Sequence, residues 1–314
     1  MILTVTLNAA LDITHRLPEL VPGTSHRVAE VIERPGGKGL NVARVLGSLG
    51  YETVVTGFAG GPTGAVLRER LAGQPQPRPV RDALVPIAAN TRRAIAVVAT
   101  SNGETTLLDE PGPQVTADEW ASFLMTYETL LRDAEAVALC GGLPPGIHVG
   151  AYAELIRRAR AAGVPSVLDT SGEPLRRGIA ARPDLVKPNA DELAQLTGSR
   201  EPVRATRDAR RRGAHTVVSS LGPDGLLAAT PEGVWRATAP AKPKVTGDPA
   251  GAGDAAVAGL LSGLVDSLSW PDRLSRAVAL ATAAVLAPTA GDFDRAAYEE
   301  LLPGVAVTEL LPAA

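Results

Sequence analysis

Four short apolar runs, residues 135–140, 165–169, 184–187 and 214–219, each stop at residues that turn a chain: Gly-Gly, Asp-Thr, Pro-Asn and Ser-Leu-Gly. Runs of this length and aliphatic content form strands buried on both faces. Helical patterns lie between them. Thr116-Ala117-Asp118-Glu119 has the form of a capping box opening a helix to about Leu131, and further helices span roughly 150–162 and 203–212. Strand and helix in alternation imply an α/β fold with a mostly parallel, doubly wound sheet flanked by helices. Ligands of such sheets sit beyond the carboxyl ends of the strands, so the turn residues should share one functional rim.

Two stretches break this rhythm. Residues 12–34 and 90–109 carry alternating or β-branched patterns with no helix between, and antiparallel strands in a small separate sheet fit them better. Residues 73–79, rich in Gln and Pro, read as a loop between a helix and a strand. A chain of 314 residues with 45% hydrophobic content can bury one large core, so residues 1–314 are expected to form a single domain with the small sheet as an appendage.

A net charge of −3 gives no support for a nucleic-acid or anionic-membrane partner. The single cysteine, Cys140, rules out an intrachain disulfide and suits a reducing compartment. Met1 leads straight into the alternating run Ile2-Leu3-Thr4-Val5-Thr6-Leu7, and no apolar stretch is long enough to span a bilayer. A cytoplasmic protein is the expectation. Only Lys38, Lys187, Lys242 and Lys244 are lysine among 31 basic residues. Two of these fall in the motifs below, where a compact ammonium suits phosphate as a point charge.

The run from Asp248 to Gly259 passes from Gly251, Ala252 and Gly253 into an apolar helix with Asp254 in its first turn. Small residues there leave N–H groups uncovered at a helix N-terminus, a seat for an anion. A resting phosphate would be repelled by Asp254. The pairing makes sense if Asp254 acts as a base on a hydroxyl that attacks a phosphoryl group held by the amides. Asp is also common as a plain helix cap. A second glycine run, Pro35-Gly36-Gly37-Lys38-Gly39-Leu40-Asn41, enters a helix that stops at Gly50 and sets Lys38 and Asn41 in its first turn. It is neither a P-loop nor a dinucleotide fingerprint, which weakens a dehydrogenase reading.

Together the two runs resemble the signatures of the PfkB family of carbohydrate kinases, also called ribokinase-like. Gly36 to Ala43, with Gly50 and Gly60, is similar to the N-terminal signature, and Asp248 to Leu261 to the C-terminal one. The opening run from Thr4 to Asp12 is similar to the hexose-phosphate branch, which includes 1-phosphofructokinase and tagatose-6-phosphate kinase. Lys187-Pro188-Asn189-Ala190-Asp191-Glu192 and Ser220-Leu221-Gly222-Pro223-Asp224-Gly225 resemble nucleotide-side motifs.

The resemblance implies ATP and Mg²⁺ as cofactors and assigns roles. Asp254 is the base, and Gly251, Ala252 and Gly253 form the anion hole. Lys187, Asn189, Ser220, Gly222 and Gly225 line the ATP site, with Asn189 and Glu192 organising Mg²⁺ through waters. Asp12, Gly37, Lys38 and Asn41 meet the sugar, while Arg27 and Arg92 grip a phosphate already on it. The segments 12–34 and 90–109 would form a lid over the sugar, and two lids would pair in a homodimer. Ala9 stands where Pro is usual, and Cys140-Gly141-Gly142 where Ser-Gly-Ser is usual, removing a hydroxyl from a potential phosphate contact. Arg93-Ala94 and Asp109 also depart from the usual Ile-Asn and Asn.

Fructose 1-phosphate ranks first as substrate, then tagatose 6-phosphate, then fructose 6-phosphate. The first two are hard to separate because a ketohexofuranose carries a CH₂O arm at each end of its ring, and a pocket can hold either arm as the phosphate handle and offer the other to Asp254. Lys38 does not separate phosphorylated from neutral sugars. Alternatives are a kinase of an unphosphorylated sugar or nucleoside, against which Arg27 and Arg92 stand, and a non-catalytic sugar-phosphate sensor, which has no need of Asp254.

Overall fold

The structure of the chain, a computed structural model, describes residues 1–240, 250–287 and 289–312. Asp248, Lys242 and Lys244 lie outside the described residues. In chain order the first strands are β1 (Ile2–Thr6), β2 (Ala10–Leu17), β3 (Glu30–Gly36), β4 (Thr53–Gly60), β5 (Arg81–Ile87), β6 (Arg92–Ala99) and β7 (Thr105–Asp109). They are followed by β8 (Ala136–Cys140), β9 (Ser166–Asp169), β10 (Leu185–Val186), β11 (Thr216–Ser220), β12 (Leu226–Ala229), β13 (Gly233–Thr238) and β14 (Ala306–Pro312). The helices are α1 (Lys38–Ser48), α2 (Gly61–Ala72), α3 (Ala117–Leu131), α4 (Ala151–Ala161) and α5 (Gly172–Ala180), then α6 (Ala190–Thr197), α7 (Pro202–Arg211), α8 (Ala252–Val265), α9 (Trp270–Val285) and α10 (Arg295–Leu301).

A ten-stranded sheet runs β14-β13-β12-β11-β10-β9-β8-β1-β4-β5. From β11 to β5 every pair is parallel, and β12, β13 and β14 extend one edge antiparallel. The period-two alternation of a strand divides the core between the two faces. Leu3, Val5, Val137 and Leu139 join the cluster under α3 to α7, whereas Ile2, Ala136, Ala138 and Cys140 join the cluster under α1, α8 and α9. The small residues on that second face, and Gly259 on α8, let helices approach closely. A Cβ at Gly259 would fall 2.6 Å from Ala277 Cα on α9. Helix α8 is apolar nearly all round because it is covered on all sides.

The capping box at Thr116 and Glu119 forms as its sequence implies, with both reciprocal hydrogen bonds present. Residues 73–79 connect α2 to β5. Cys140 is fully buried in the second cluster, so the exchange of Ser for Cys there takes no hydroxyl from an exposed phosphate contact.

The small sheet, β3-β2-β6-β7, corrects one expectation. Its outer pairs are antiparallel, but β2 and β6 at its centre are parallel. Strands β1 and β5 run to the same rim of the large sheet, and β2 and β6 each begin within a few residues of that rim, so they must point the same way. Sequence pattern reports the alternation of each segment but not where the intervening α1, β4, α2 and β5 return the chain.

On the rim, the hydroxyl of buried Tyr152 reaches the carbonyls of Cys140 and Gly141 at 2.9 and 3.0 Å. Tyr152→Phe should lose about 1–2 kcal/mol of stability by removing this donor from buried carbonyls, measured as a lower urea midpoint at unchanged slope.

Candidate active site

Helices α1 and α8 both start on the rim, each at a glycine N-cap in the left-handed half of backbone space, Gly37 with φ 114° and Gly251 with φ 85°. No side chain caps either end. Their first-turn N–H groups therefore keep donors to offer a ligand, and the helix dipoles add to the attraction for negative charge. Both glycines are also required by packing. A Cβ at Gly37 would fall 2.7 Å from Thr6 Cγ2, and one at Gly251 would fall 2.8 Å from Ala290 Cα.

Asp254, in the first turn of α8, does not cap its helix. Its carboxylate instead accepts a hydrogen bond of 2.8 Å from Asn41 Nδ2, one turn into α1. Burial of Asp254 and the nearby charge of Asp169 raise its pKa from 3.8 to about 7, against the lowering effect of Asn41, Lys38 and Lys187.

Asp169, at the end of β9, gathers the two motif lysines. Its Oδ1 lies 3.2 Å from Lys38 Nζ and 3.7 Å from Lys187 Nζ, and the carboxylate is almost fully buried. Burial works against the charge of Lys38, but Asp169, Asp254 and Glu192 together hold its pKa above the usual lysine range. Lys187 is buried and stands at the glycine cup, since a Cβ at Gly253 would be 3.5 Å from its Nζ. Asp169 Oδ2 has no hydrogen-bond partner, an orphan that a bound cation or water would satisfy.

On the small sheet, Asp12 lies opposite Arg34 of β3 and Ala94 of β6, and its carboxylate covers Gly36, where a Cβ would fall 2.0 Å from Asp12 Cγ. Burial lifts the Asp12 pKa to about 6, countered by the charges of Arg92 and Arg44. Arg92 reaches Asp109 at 3.2 Å while its Nε is buried without a partner. Arg27 is not drawn into this group. It is exposed in the connection between β2 and β3 and makes no hydrogen bond or ion pair among the described residues.

Asn189 and Glu192 form a reciprocal capping box on α6, each side chain accepting from the other's backbone N–H at 2.8 Å. One Glu192 oxygen is engaged in this way and the other makes no hydrogen bond. Asn189 pairs with Ser220 in a parallel bridge, which joins the two nucleotide-side motifs. Gly222 has open space where a Cβ would stand, but Gly225 is needed by the fold itself, because a Cβ there would fall 2.0 Å from Ala237 O.

Three charged residues close to this group escape sequence reasoning. Asp169 carried a signal, a carboxylate at the end of a parallel strand. Arg44 and Asp292, paired at 2.7 Å, carried none, for 248 positions separate them.

A doubly wound sheet whose rim carries two uncapped glycine-led helix starts, a buried carboxylate and two lysines defines a ribokinase-like fold with a site suited to phosphoryl transfer. Residues 5–296 match the pfkB family of carbohydrate kinases, and the chain belongs to that family. Solved structures agree. Escherichia coli phosphofructokinase-2 in complex with fructose-6-phosphate is 29% identical with a TM-score of 0.84, the match covering 96% of this chain and 98% of that one. A Thermotoga maritima protein named a possible 1-phosphofructokinase is 26% identical with a TM-score of 0.83, over 98% and 99% of the two chains. Arabidopsis thaliana ribokinase, at 23% identity and a TM-score of 0.73 over 96% and 98%, shares the fold. No helix among the described residues is long and apolar enough to cross a membrane.

The raised pKa of Asp254 has a cost in stability. Its folded-state value lies above 3.8, so between about pH 4 and 7 the native state holds a proton that the unfolded chain has lost, and stability falls as pH rises through that window. Asp254→Asn should therefore be more stable than the wild type at pH 8, on the order of a few kcal/mol, with the gain vanishing below about pH 4. Urea midpoints at the two pH values check this.

Proposed function

We propose that this chain phosphorylates a ketohexose phosphate at the expense of ATP, with fructose 1-phosphate, giving fructose 1,6-bisphosphate, as the first choice of substrate. The observation that carries the reading is Asp254, buried in an uncapped helix start beside Lys187 and aligned by Asn41. A carboxylate poised near pH 7 suits a general base. Asp254 takes the proton of the acceptor hydroxyl as its oxygen attacks the γ-phosphorus of ATP. The bond to the β–γ bridging oxygen breaks, and ADP leaves. The amides of Gly251, Ala252 and Gly253 stabilise the phosphoryl group in transit, while Lys38 and Lys187 offset its charge.

ATP lies along Lys187, Asn189, Ser220, Gly222 and Gly225 in this reading. Mg²⁺ would be held by the free oxygen of Glu192 and the side chain of Asn189, through waters because Mg²⁺ dehydrates reluctantly. The ion would neutralise phosphate charge. The sugar rests on Gly37, Lys38 and Asn41 with Asp12 accepting from its hydroxyls, and Arg92, whose Nε lacks a partner, grips the phosphate it already bears. Arg27 joins this grip only if the small sheet closes. That sheet acts as a lid, and its exposed Val31 and Leu108, which the register places on one face, support a homodimer formed lid to lid.

Named relatives support a phosphorylated ketohexose. The Escherichia coli structure holds fructose-6-phosphate, and the Thermotoga maritima protein is named for fructose 1-phosphate chemistry. The deciding experiment is an ADP-release assay with Mg²⁺ across fructose 1-phosphate, tagatose 6-phosphate, fructose 6-phosphate, fructose, ribose and adenosine. The largest kcat/KM is expected for fructose 1-phosphate; free fructose, ribose or adenosine serving equally well would reject the reading, and no turnover at all would favour a sensor. Asp254→Asn should cut kcat by about 10²- to 10⁴-fold with little change in nucleotide affinity. In the same assay Arg92→Ala should weaken phosphosugar binding by about 1–3 kcal/mol, seen as a higher KM for the sugar phosphate and an unchanged KM for ATP.

A further inference from the structure

Behind the glycine cup, the turn at residues 289–292 is held by Asp292. One carboxylate oxygen accepts from Arg44 Nη2 of α1 at 2.7 Å, and the other from Arg34 Nη1 of β3 at 2.6 Å and from Thr289 Oγ1 at 2.9 Å. Arg44 also donates to Ala290 O at 3.0 Å and is almost completely buried. The turn so held abuts both parts of the proposed catalytic apparatus. A Cβ at Gly251 would meet Ala290 Cα at 2.8 Å, and one at Gly291 would meet Asn41 Oδ1 at 2.8 Å and Arg44 Nη1 at 2.7 Å. The N-cap of α8 and the side chain that aligns Asp254 thus rest on one turn. The small sheet reaches the same carboxylate through Arg34.

A carboxylate shared by two arginines from separate elements is a rigid junction, since the planar guanidinium fixes direction as well as distance. Stability alone would be served by the buried Arg44 arm. The Arg34 arm is partly exposed, and such a pair adds little to stability. What it adds is a fixed register between β3, which bears the partner strand of Asp12, and the turn beneath Gly251.

We propose that Asp292 is a positioning residue for phosphoryl transfer. By accepting from Arg44 and Arg34 it seats the 289–292 turn against Gly251 and Asn41, and so holds the anion cup, the Asp254 carboxylate and the small sheet in one geometry. The proposal rests on the kinase reading given above for what the cup does.

The test compares Asp292→Asn, Arg34→Gln and Arg34→Lys in the full chain, with thermal unfolding to verify folding. Asp292→Asn should lower kcat by about 10- to 100-fold while KM for ATP stays within about threefold, the pattern of a group that shapes the transition state rather than ground-state binding. The charged groups facing Asp254, namely Asp169 of β9, Lys38 of α1 and Lys187 after β10, are untouched by the substitution. A misaligned Asn41 should then withdraw a donor from the carboxylate and move the acid limb of the kcat–pH profile upward by about half a unit or more. Arg34→Gln should cost kcat about 3- to 10-fold, and Arg34→Lys should recover most of it.

Amide hydrogen exchange of residues 251–255 supplies a readout free of turnover. It should quicken in Asp292→Asn and Arg34→Gln but not in the control Asp208→Asn, which breaks only the ion pairs to the exposed Arg204 and Arg211 within α7. A folded Asp292→Asn variant with wild-type kcat, pH profile and exchange overturns the proposal. If that variant does not fold, unchanged kcat and exchange in Arg34→Gln overturn it. Absence of wild-type turnover with every sugar phosphate would defeat the kinase reading alone, and the exchange data would still judge the junction.

Discussion

One hydrogen bond, from Asn41 on α1 to Asp254 on α8, ties together helices that begin at opposite ends of the chain's sequence. Everything on the rim is arranged around it. The two helices can present bare N-termini side by side because each starts at a glycine with positive φ, and they can lie close because the strands beneath them carry alanine at 136 and 138. Small side chains in the core are thus the reason two helix dipoles can be aimed at one spot, where a single terminus would attract an anion only weakly.

The electrostatics of the rim are balanced rather than simply basic. Asp169 and Asp254 face Lys38 and Lys187, and burial together with the charge of Asp169 raises the cost of keeping Asp254 ionised. A surplus of lysine would hold Asp254 as a firmly ionised, weak base; a surplus of carboxylate would repel ATP. The observed set leaves Asp254 near neutrality while concentrating positive charge at the cup through Lys187. A buried pair of like charges costs stability, so this arrangement is one that packing elsewhere has to sustain.

Much of this was legible in the sequence. The runs at 135–140, 165–169 and 214–219 had the length and composition of buried parallel strands, and Thr116 to Glu119 spelled out a helix start. The glycine runs marked α1 and α8 because no other residue serves at Gly37 and Gly251. The resemblance marked Asn189 and Glu192 only as a pair organising Mg²⁺; the structure shows that they form a reciprocal capping box at the start of α6. What sequence could not carry was long-range. The parallel pairing of β2 with β6 depends on where the intervening residues 18–91 return the chain, and the Arg34–Asp292–Arg44 junction spans 258 and 248 positions with no local pattern to announce it. Gly225 shows the converse, a residue that resembled part of a ligand loop and is demanded by the carbonyl of Ala237.

The parallel centre of the small sheet has a mechanical consequence. Strands β2 and β6 depart from the rim, and β3 and β7 come back to it, so all four tethers sit at one end of the sheet. Any bending of the sheet about that root would move Asp12, Arg34 and Arg92 least and the turns at its far end most. The charged cluster is thereby anchored where the sheet is tied down at all four strands, and the outlying edge can differ in shape or company without disturbing it.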